Sequence, residues 1–272
     1  MTDIMSGGVR IHYEIQGSGE PLVLLMGLGA YGRKWEKHVA AYREHFQCIL
    51  IDNRGSGRSD KPEMAAYTTE MMADDALAVM DALNIRRAHI HGISMGGAIA
   101  QIIAARHPER VISLVLTSTY ARPDNYYTRG ISLLRDSVDV LDGETFARLL
   151  QYIIYSAHYF NNHLDAILAD AAADAKDPLP MPAYAFKAQC NACLTHDALP
   201  LLKDIQAPTL VAAGDSDLFS TPETTQSLVQ GIEGARLYLC RNGGHVHHWE
   251  ALEQFNDATL SFLLNHREGG GK

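Results

Sequence analysis

Residues His91-Gly92-Ile93-Ser94-Met95-Gly96-Gly97 set a serine between two glycines, after the apolar run Ala88–Ile90 and ahead of the helix-forming stretch Gly97–Ile103. A serine hydroxyl is a weak nucleophile, so chemistry at Ser94 needs a sharp turn that lifts Oγ into a cleft, within reach of a base. Strand, Gly-x-Ser-x-Gly and helix make such a turn. Gly92 and Gly96 leave room where the strand and helix backbones crowd one another. A helix starting just after Ser94 would aim free N–H groups and its positive dipole end at the place where an oxyanion forms. An acid and a histidine stand much further along. Asp215-Ser216-Asp217 follows the apolar run Pro208–Gly214, and His245 follows Arg236–Cys240 through Asn242-Gly243-Gly244. Serine, acid and histidine thus fall just past the C-terminal ends of three expected strands, the edge at which parallel sheets carry their reactive groups.

The elements that must position these residues can be read from periodicity. Val9–Ile15 alternates apolar and polar residues as a half-buried edge strand does. Leu22–Met26 and Gln47–Ile51 are short continuous apolar runs, as in parallel strands covered on both faces. Trp35–Glu44 and Thr69–Leu83 have helical spacing, and Val111–Leu116 is one more strand. Strands alternating with helices over short connections imply a mostly parallel sheet flanked by helices. The alternation stops between residues 122 and 204. There the pattern is helical (Leu133–Val140, Glu144–His158, Leu164–Ala175), broken at Pro178-Leu179-Pro180-Met181-Pro182, and rich in aromatic side chains. The expected organisation is a core of residues 1–121 and 205–272 with a helical cap, or lid, of residues 122–204. A helix over Pro222–Gln230, a last helix over Trp249–Leu264 and a disordered tail from Glu268 to Lys272 complete the chain.

Composition bounds the function. The chain has 272 residues, 47% hydrophobic and 20% charged, enough to bury a substantial core. A net charge of −9 with no basic block excludes a nucleic-acid or anionic-membrane partner. Met1-Thr2-Asp3-Ile4-Met5 opens no apolar targeting stretch, and no run reaches the length of a membrane span. Four cysteines, Cys48, Cys190, Cys193 and Cys240, are too few for a disulfide framework. These features predict a cytoplasmic, reduced protein.

Five motifs in order now resemble one family, the α/β-hydrolases: Met26-Gly27-Leu28-Gly29, Asp52-x-Arg54-Gly55-x-Gly57-x-Ser59, Gly92-Ile93-Ser94-Met95-Gly96, Gly214-Asp215-Ser216-Asp217, and Gly244-His245 ahead of Glu250. The resemblance spans nearly the whole chain outside the cap and implies an α/β-hydrolase fold. It implies Ser94 as nucleophile, His245 as general base and then acid, and Asp217 as the group that orients the imidazole. The oxyanion hole would be the backbone N–H groups of Leu28 and Met95. Many members carry histidine where this chain has Met26. Asp217 matches the family's Gly-x-x-Asp; Asp215 and Asp124 remain as alternatives for the acid. The motifs look most similar to the enol-lactonase, small esterase and cofactor-free haloperoxidase branch. That implies a serine hydrolase of a small carboxylic ester or lactone, working through an acyl-enzyme with neither metal nor cofactor. A carbon–carbon bond hydrolase of ring-cleavage diketones, or a ligand-binding receptor on the same fold, are the alternatives. Tyr155 and Tyr159 are the expected cap contributions to the substrate pocket, and oligomeric state is left open.

Other groups invite different chemistry. His245-x-His247-His248 has the look of a metal cluster but lacks the further ligands zinc chemistry needs, so His247 and His248 are expected to pack or cap the last helix. Cys190-Asn191-Ala192-Cys193, with His196 nearby, reads as two helix cysteines one turn apart. Arg54 and Arg58 are expected to brace their loop.

Overall fold

The computed structural model describes residues 2–174 and 176–268. Its centre is an eight-stranded sheet. In chain order the strands are β1 (Asp3–Ser6), β2 (Val9–Gln16), β3 (Glu20–Leu25), β4 (Phe46–Ile51), β5 (Ala88–Ile93), β6 (Val111–Thr117), β7 (Thr209–Gly214) and β8 (Arg236–Cys240). They lie in the order β1-β2-β4-β3-β5-β6-β7-β8. The β1–β2 and β2–β4 pairings are antiparallel, and every pairing from β4 to β8 is parallel. β2 is therefore not an edge strand as its alternation suggests. β1 covers it, a segment of four residues, Asp-Ile-Met-Ser, too short to show a period.

The continuous apolar runs are explained by a core on both sheet faces. Val23, Leu25 and Ile90 face one cluster with Met72, Val79 and Met80 from the helix Thr69–Ala82, while Leu22, Leu24 and Ile93 face a second with Val39 and Tyr42. Successive strand residues point to opposite faces, so a strand covered on both sides needs no polar alternation. Each fully buried aliphatic side chain contributes about 1.5–3 kcal/mol relative to exposure.

The helices of the core are α1 (Glu36–Tyr42), α2 (Thr69–Ala82) and α3 (Met95–Arg106). Between β6 and β7 the chain forms α4 (Asn125–Ser137), α5 (Gly143–Ile154), α6 (Ala157–Asn162), α7 (Leu164–Asp174) and α8 (Ala183–Thr195). After β7 come α9 (Pro222–Gly231), α10 (His247–Glu250) and α11 (Leu252–Leu264). α4 begins eight residues before its apolar pattern, because Asp124 caps it by accepting a hydrogen bond from Tyr127 N (2.7 Å). The helix expected over Glu144–His158 is two helices. It breaks at Tyr155-Ser156, where the Ser156 hydroxyl caps α6 by accepting from Tyr159 N at 3.1 Å. The last helix is likewise interrupted at Ala251, between α10 and α11. α8 carries Cys190 and Cys193, both buried and free, on its core-facing side with Phe186, Ala188 and Ala192. No helix among the described residues is long and apolar enough to cross a membrane. Ala175 and residues 269–272, the end of an expected helix and most of the expected tail, lie outside the described residues.

Candidate active site

Ser94 sits between β5 and α3 with φ 54° and ψ −118°, a strained backbone for a residue with a side chain. Ser94 N donates to Thr117 O (2.8 Å), and the Thr119 hydroxyl donates to Ser94 O (2.8 Å), so neighbouring β6 holds the strain in place. The flanking glycines serve close approach rather than unusual φ. A Cβ on Gly92 would lie 2.2 Å from Gly96 O, and one on Gly96 would lie 2.1 Å from Leu25 O. Either is a collision with backbone that only glycine avoids.

His245 and Asp217 meet. His245 Nδ1 lies 3.0 Å from both Asp217 carboxylate oxygens. The same carboxylate accepts from Phe219 N (2.7 Å) and Ser220 N (3.0 Å), and the Phe219 ring stands edge-on to the imidazole at 5.2 Å. Burial alone would raise the Asp217 carboxyl; the charge and hydrogen bond of His245 and the two backbone donors outweigh it and hold the group below the usual carboxylate range. An ionised Asp217 fixes the proton of His245 on Nδ1 and leaves Nε2 free to act as a base. The rival acids are elsewhere: Asp124 caps α4, and Asp215 is exposed, accepting from the hydroxyl of Ser216. The histidine loop is pinned from below by Ser118, whose hydroxyl donates to His245 O at 2.7 Å.

The loop after β3 runs against the serine. A Cβ placed on Gly27 would lie 3.1 Å from Ser94 Cβ and 3.6 Å from Oγ, so a side chain at position 27 would crowd Ser94 and require a small shift. Leu28 follows in the same loop, and Met95 opens α3. The structure also shows what braces this loop in the absence of a histidine at Met26. Asn53 Nδ2 donates to Met26 O (2.9 Å), and Gly29 N donates to Gln189 Oε1 (3.0 Å), while Gln189 Nε2 donates to Arg54 O (2.9 Å). Asp52 accepts from Gly32 N and Arg58 N, both at 2.8 Å. Gln189 and Asn53 were not singled out by the sequence, since neither carries a reactive group. Arg54 is buried in a two-point pair with Asp75 (both contacts 2.7 Å), which matches its expected bracing role.

Ser94, His245, Gly27 and Leu28 line one cavity of about 510 Å³. Its remaining wall is largely apolar: Ile131 and Leu134 from α4, Val138 just after it, Phe146 and Leu150 from α5, and Phe186 from α8. Tyr155 and Tyr159 are not among its lining residues. The two rings stack on each other at 5.4 Å; Tyr155 is packed with Ile167 and Val246 where α5 meets the histidine loop, and it lines an adjoining cavity with Ile154 and Trp249. That junction is held by a residue sequence reasoning underrated. Glu250 accepts from Gly244 N (3.0 Å), Ser156 N (2.7 Å) and the Ser156 hydroxyl (3.0 Å), tying the histidine loop to the α5–α6 corner. The only signal for it in the sequence is its place five residues after His245.

The histidines after His245 turn into the core. His247 Nδ1 lies 3.1 Å from the Ser118 hydroxyl, and His248 Nδ1 lies 3.1 Å from His38 Nε2. Among the described residues no three His, Cys, Asp or Glu side chains are grouped to hold a metal ion.

A family model described as the alpha/beta hydrolase fold matches residues 20–252. The chain is 31% identical over 258 residues to a protein of Caulobacter vibrioides named for carbamate hydrolysis, RutD, with 93% of this chain and 95% of that one covered. Among solved structures, the enol-lactonase from Burkholderia xenovorans LB400 superposes with a TM-score of 0.85 at 28% identity, over 96% of this chain and 99% of that one. Est816, described as an N-acyl homoserine lactone degrading enzyme, superposes with a TM-score of 0.82 at 31% identity, again over 96% and 99%. With this sheet order, this strained serine turn and this match across most of its length, the chain belongs to the α/β-hydrolase family.

Proposed function

We propose that this hydrolase cleaves a carboxylic ester or lactone with an apolar acyl group, through an acyl-enzyme. The observation that carries the reading is the shared cavity: Ser94 and His245 both line it, and His245 is oriented by buried Asp217 at 3.0 Å. In this reading Ser94 Oγ attacks the carbonyl carbon as His245 Nε2 takes its proton. The imidazolium, stabilised by Asp217, then returns that proton to the departing alkoxide. Water repeats the sequence to release the acid. The backbone N–H groups of Leu28 and Met95 would stabilise the oxyanion, each typically worth about 3–4 kcal/mol in the transition state. The chemistry of the cavity asks for no metal and no cofactor in this scheme.

Residues 122–204 act in this proposal as a lid, because α4, α5 and α8 supply the apolar wall opposite the serine turn. An apolar wall of that extent favours a hydrocarbon acyl chain over a charged one. A reduced, cytoplasmic setting is consistent with four free buried cysteines. The test is a p-nitrophenyl ester series followed by rapid mixing. A burst of one nitrophenol per chain and then steady turnover is expected. Absence of both would sink the reading in favour of a receptor that holds its ligand without cleaving it.

A further inference from the structure

His245-x-His247 and the serine that follows β6 meet at one point behind the base. Ser118 stands one residue past β6 with φ 47°, a left-handed backbone that strains a residue with a side chain. Its two neighbours hold the nucleophile: Thr117 O accepts from Ser94 N and the Thr119 hydroxyl donates to Ser94 O, each at 2.8 Å. Ser118 N donates to Ala212 O of β7 (2.9 Å), which ties this turn to the sheet. The Ser118 hydroxyl reaches the histidine loop instead, 2.7 Å from His245 O and 3.1 Å from His247 Nδ1. None of Thr117, Ser118 and Thr119 is more than 2% exposed, so bulk water does not compete for these bonds.

The direction of each bond follows from the groups involved. A backbone carbonyl only accepts, so the single hydroxyl proton of Ser118 goes to His245 O. Burial lowers His247 to about 4 and keeps it neutral, with one ring proton. With the hydroxyl proton committed, Nδ1 must donate, or two lone pairs would face each other at 3.1 Å. The other tautomer would also strand a buried N–H at Nε2, which has no hydrogen-bond partner among the described residues. The result is a directed chain, from His247 Nδ1–H to Ser118 Oγ–H to the carbonyl of His245. Each bond in such a chain polarises and strengthens the next. The chain holds the backbone of the base, whereas Asp217 holds its ring.

We propose that Ser118 and His247 are positioning residues for the base, and that Thr117-Ser118-Thr119 sets the separation of nucleophile and base as one rigid segment. This rests on the roles given above to Ser94 and His245, and deepens them. The test reads the rate at which a small neutral fluorophosphonate labels Ser94, by intact mass, with a urea midpoint for each variant. Ser118→Ala breaks the chain, and displacement of the base should slow labelling about 10–100-fold. Ser118→Gly loses the same hydroxyl but relieves the positive φ, so it should be slowed as much with no backbone strain to blame. His247→Leu and His247→Asn both remove the ring, yet only the asparagine amide can donate from the place of Nδ1. The leucine variant should label about tenfold slower than the parent, and the asparagine variant should recover most of that loss. A merely structural role predicts the reverse order, since a buried leucine packs better than an asparagine. Should the position-247 variants fail to fold, Ser118→Gly decides alone. Labelling of Ser118→Gly at the parent's rate, or an asparagine variant no faster than the leucine variant, overturns the proposal. A parent that takes up no label overturns the ester-hydrolase reading itself, and the proposal with it.

Discussion

Acidification should destabilise this protein well above the range in which its carboxylates titrate. His38, His196 and His247 are fully or almost fully buried, and burial lowers each imidazole to about 4 from an ordinary 6.5. The folded pKa lies below the unfolded one, so the contribution is complete above about pH 6.5 and is lost as pH falls toward 4. At pH 5.5 about nine-tenths of each unfolded imidazole is protonated and almost none of the folded one. Each therefore subtracts about 1.3 kcal/mol, or about 4 kcal/mol for the three. That is a large share of the 5–15 kcal/mol typical of a domain. Asp52, held above the usual carboxylate range by burial, works in the opposite sense as it takes up a proton in the folded state. Urea unfolding followed by tryptophan fluorescence at pH 7.5, 6.5 and 5.5 gives the slope, expected to be at least about two and a half protons taken up on unfolding at pH 5.5, since burial also lowers His91 and His248. The His38→Gln variant should lower that uptake by about one proton. An uptake below one proton in the parent, or an unchanged slope in the variant, would refute the claim that these histidines are buried neutral.

Four further outcomes test the site. A fluorophosphonate should label the chain once, and Ser94→Ala should abolish labelling, as read by intact mass. Asp217→Asn should lower kcat by about 10³–10⁴-fold with little change in KM, because the amide no longer fixes the His245 tautomer. Glu250→Ala removes the acceptor for Gly244 N and for Ser156; it should cost about 2–3 kcal/mol in urea unfolding and expose the 155–156 corner to limited proteolysis. Val138→Phe narrows the cavity from the C-terminal end of α4 and should shift relative kcat/KM toward shorter acyl chains by about 10–200-fold, measured across p-nitrophenyl esters of increasing length.

What was legible in the sequence was whatever rests on local pattern. The doubly covered strands announce themselves as unbroken apolar runs, and the serine turn by glycines whose absent Cβ atoms would strike backbone 2.2 and 2.1 Å away. The meeting of Asp217 with His245 was expected from motif order, and their contact is long-range in sequence but short-range in the sheet, one strand apart. Contacts set by tertiary packing were not legible. Nothing in Asp-Ile-Met-Ser signals an edge strand, because four residues hold no period. Nothing in Gln189 signals that it spans from α8 to brace the loop after β3. The packing of Tyr155 against Ile167 and Val246 was not legible for a related reason. Aromatic side chains fill whichever gap is large enough, and helical spacing alone does not tell which side of a corner that gap lies on.

Their actual position changes where specificity and reactivity are to be sought. Tyr155 and Tyr159 pack at the corner where Val246 N donates to Ile154 O at 3.2 Å and Glu250 grips Ser156. That corner joins the helical segment to the loop carrying His245, whereas the cavity wall is built from α4, α8 and the inner face of α5. α5 therefore belongs to both regions: Phe146 and Leu150 touch the cavity, and its C-terminal end is hydrogen-bonded to the histidine loop. A substrate that displaces α5 must strain the Val246–Ile154 bond and the Glu250 contacts, and through them His245. α4 and α8 line the cavity without touching the histidine loop through these bonds, whereas a group that presses on α5 acts on the loop that carries His245.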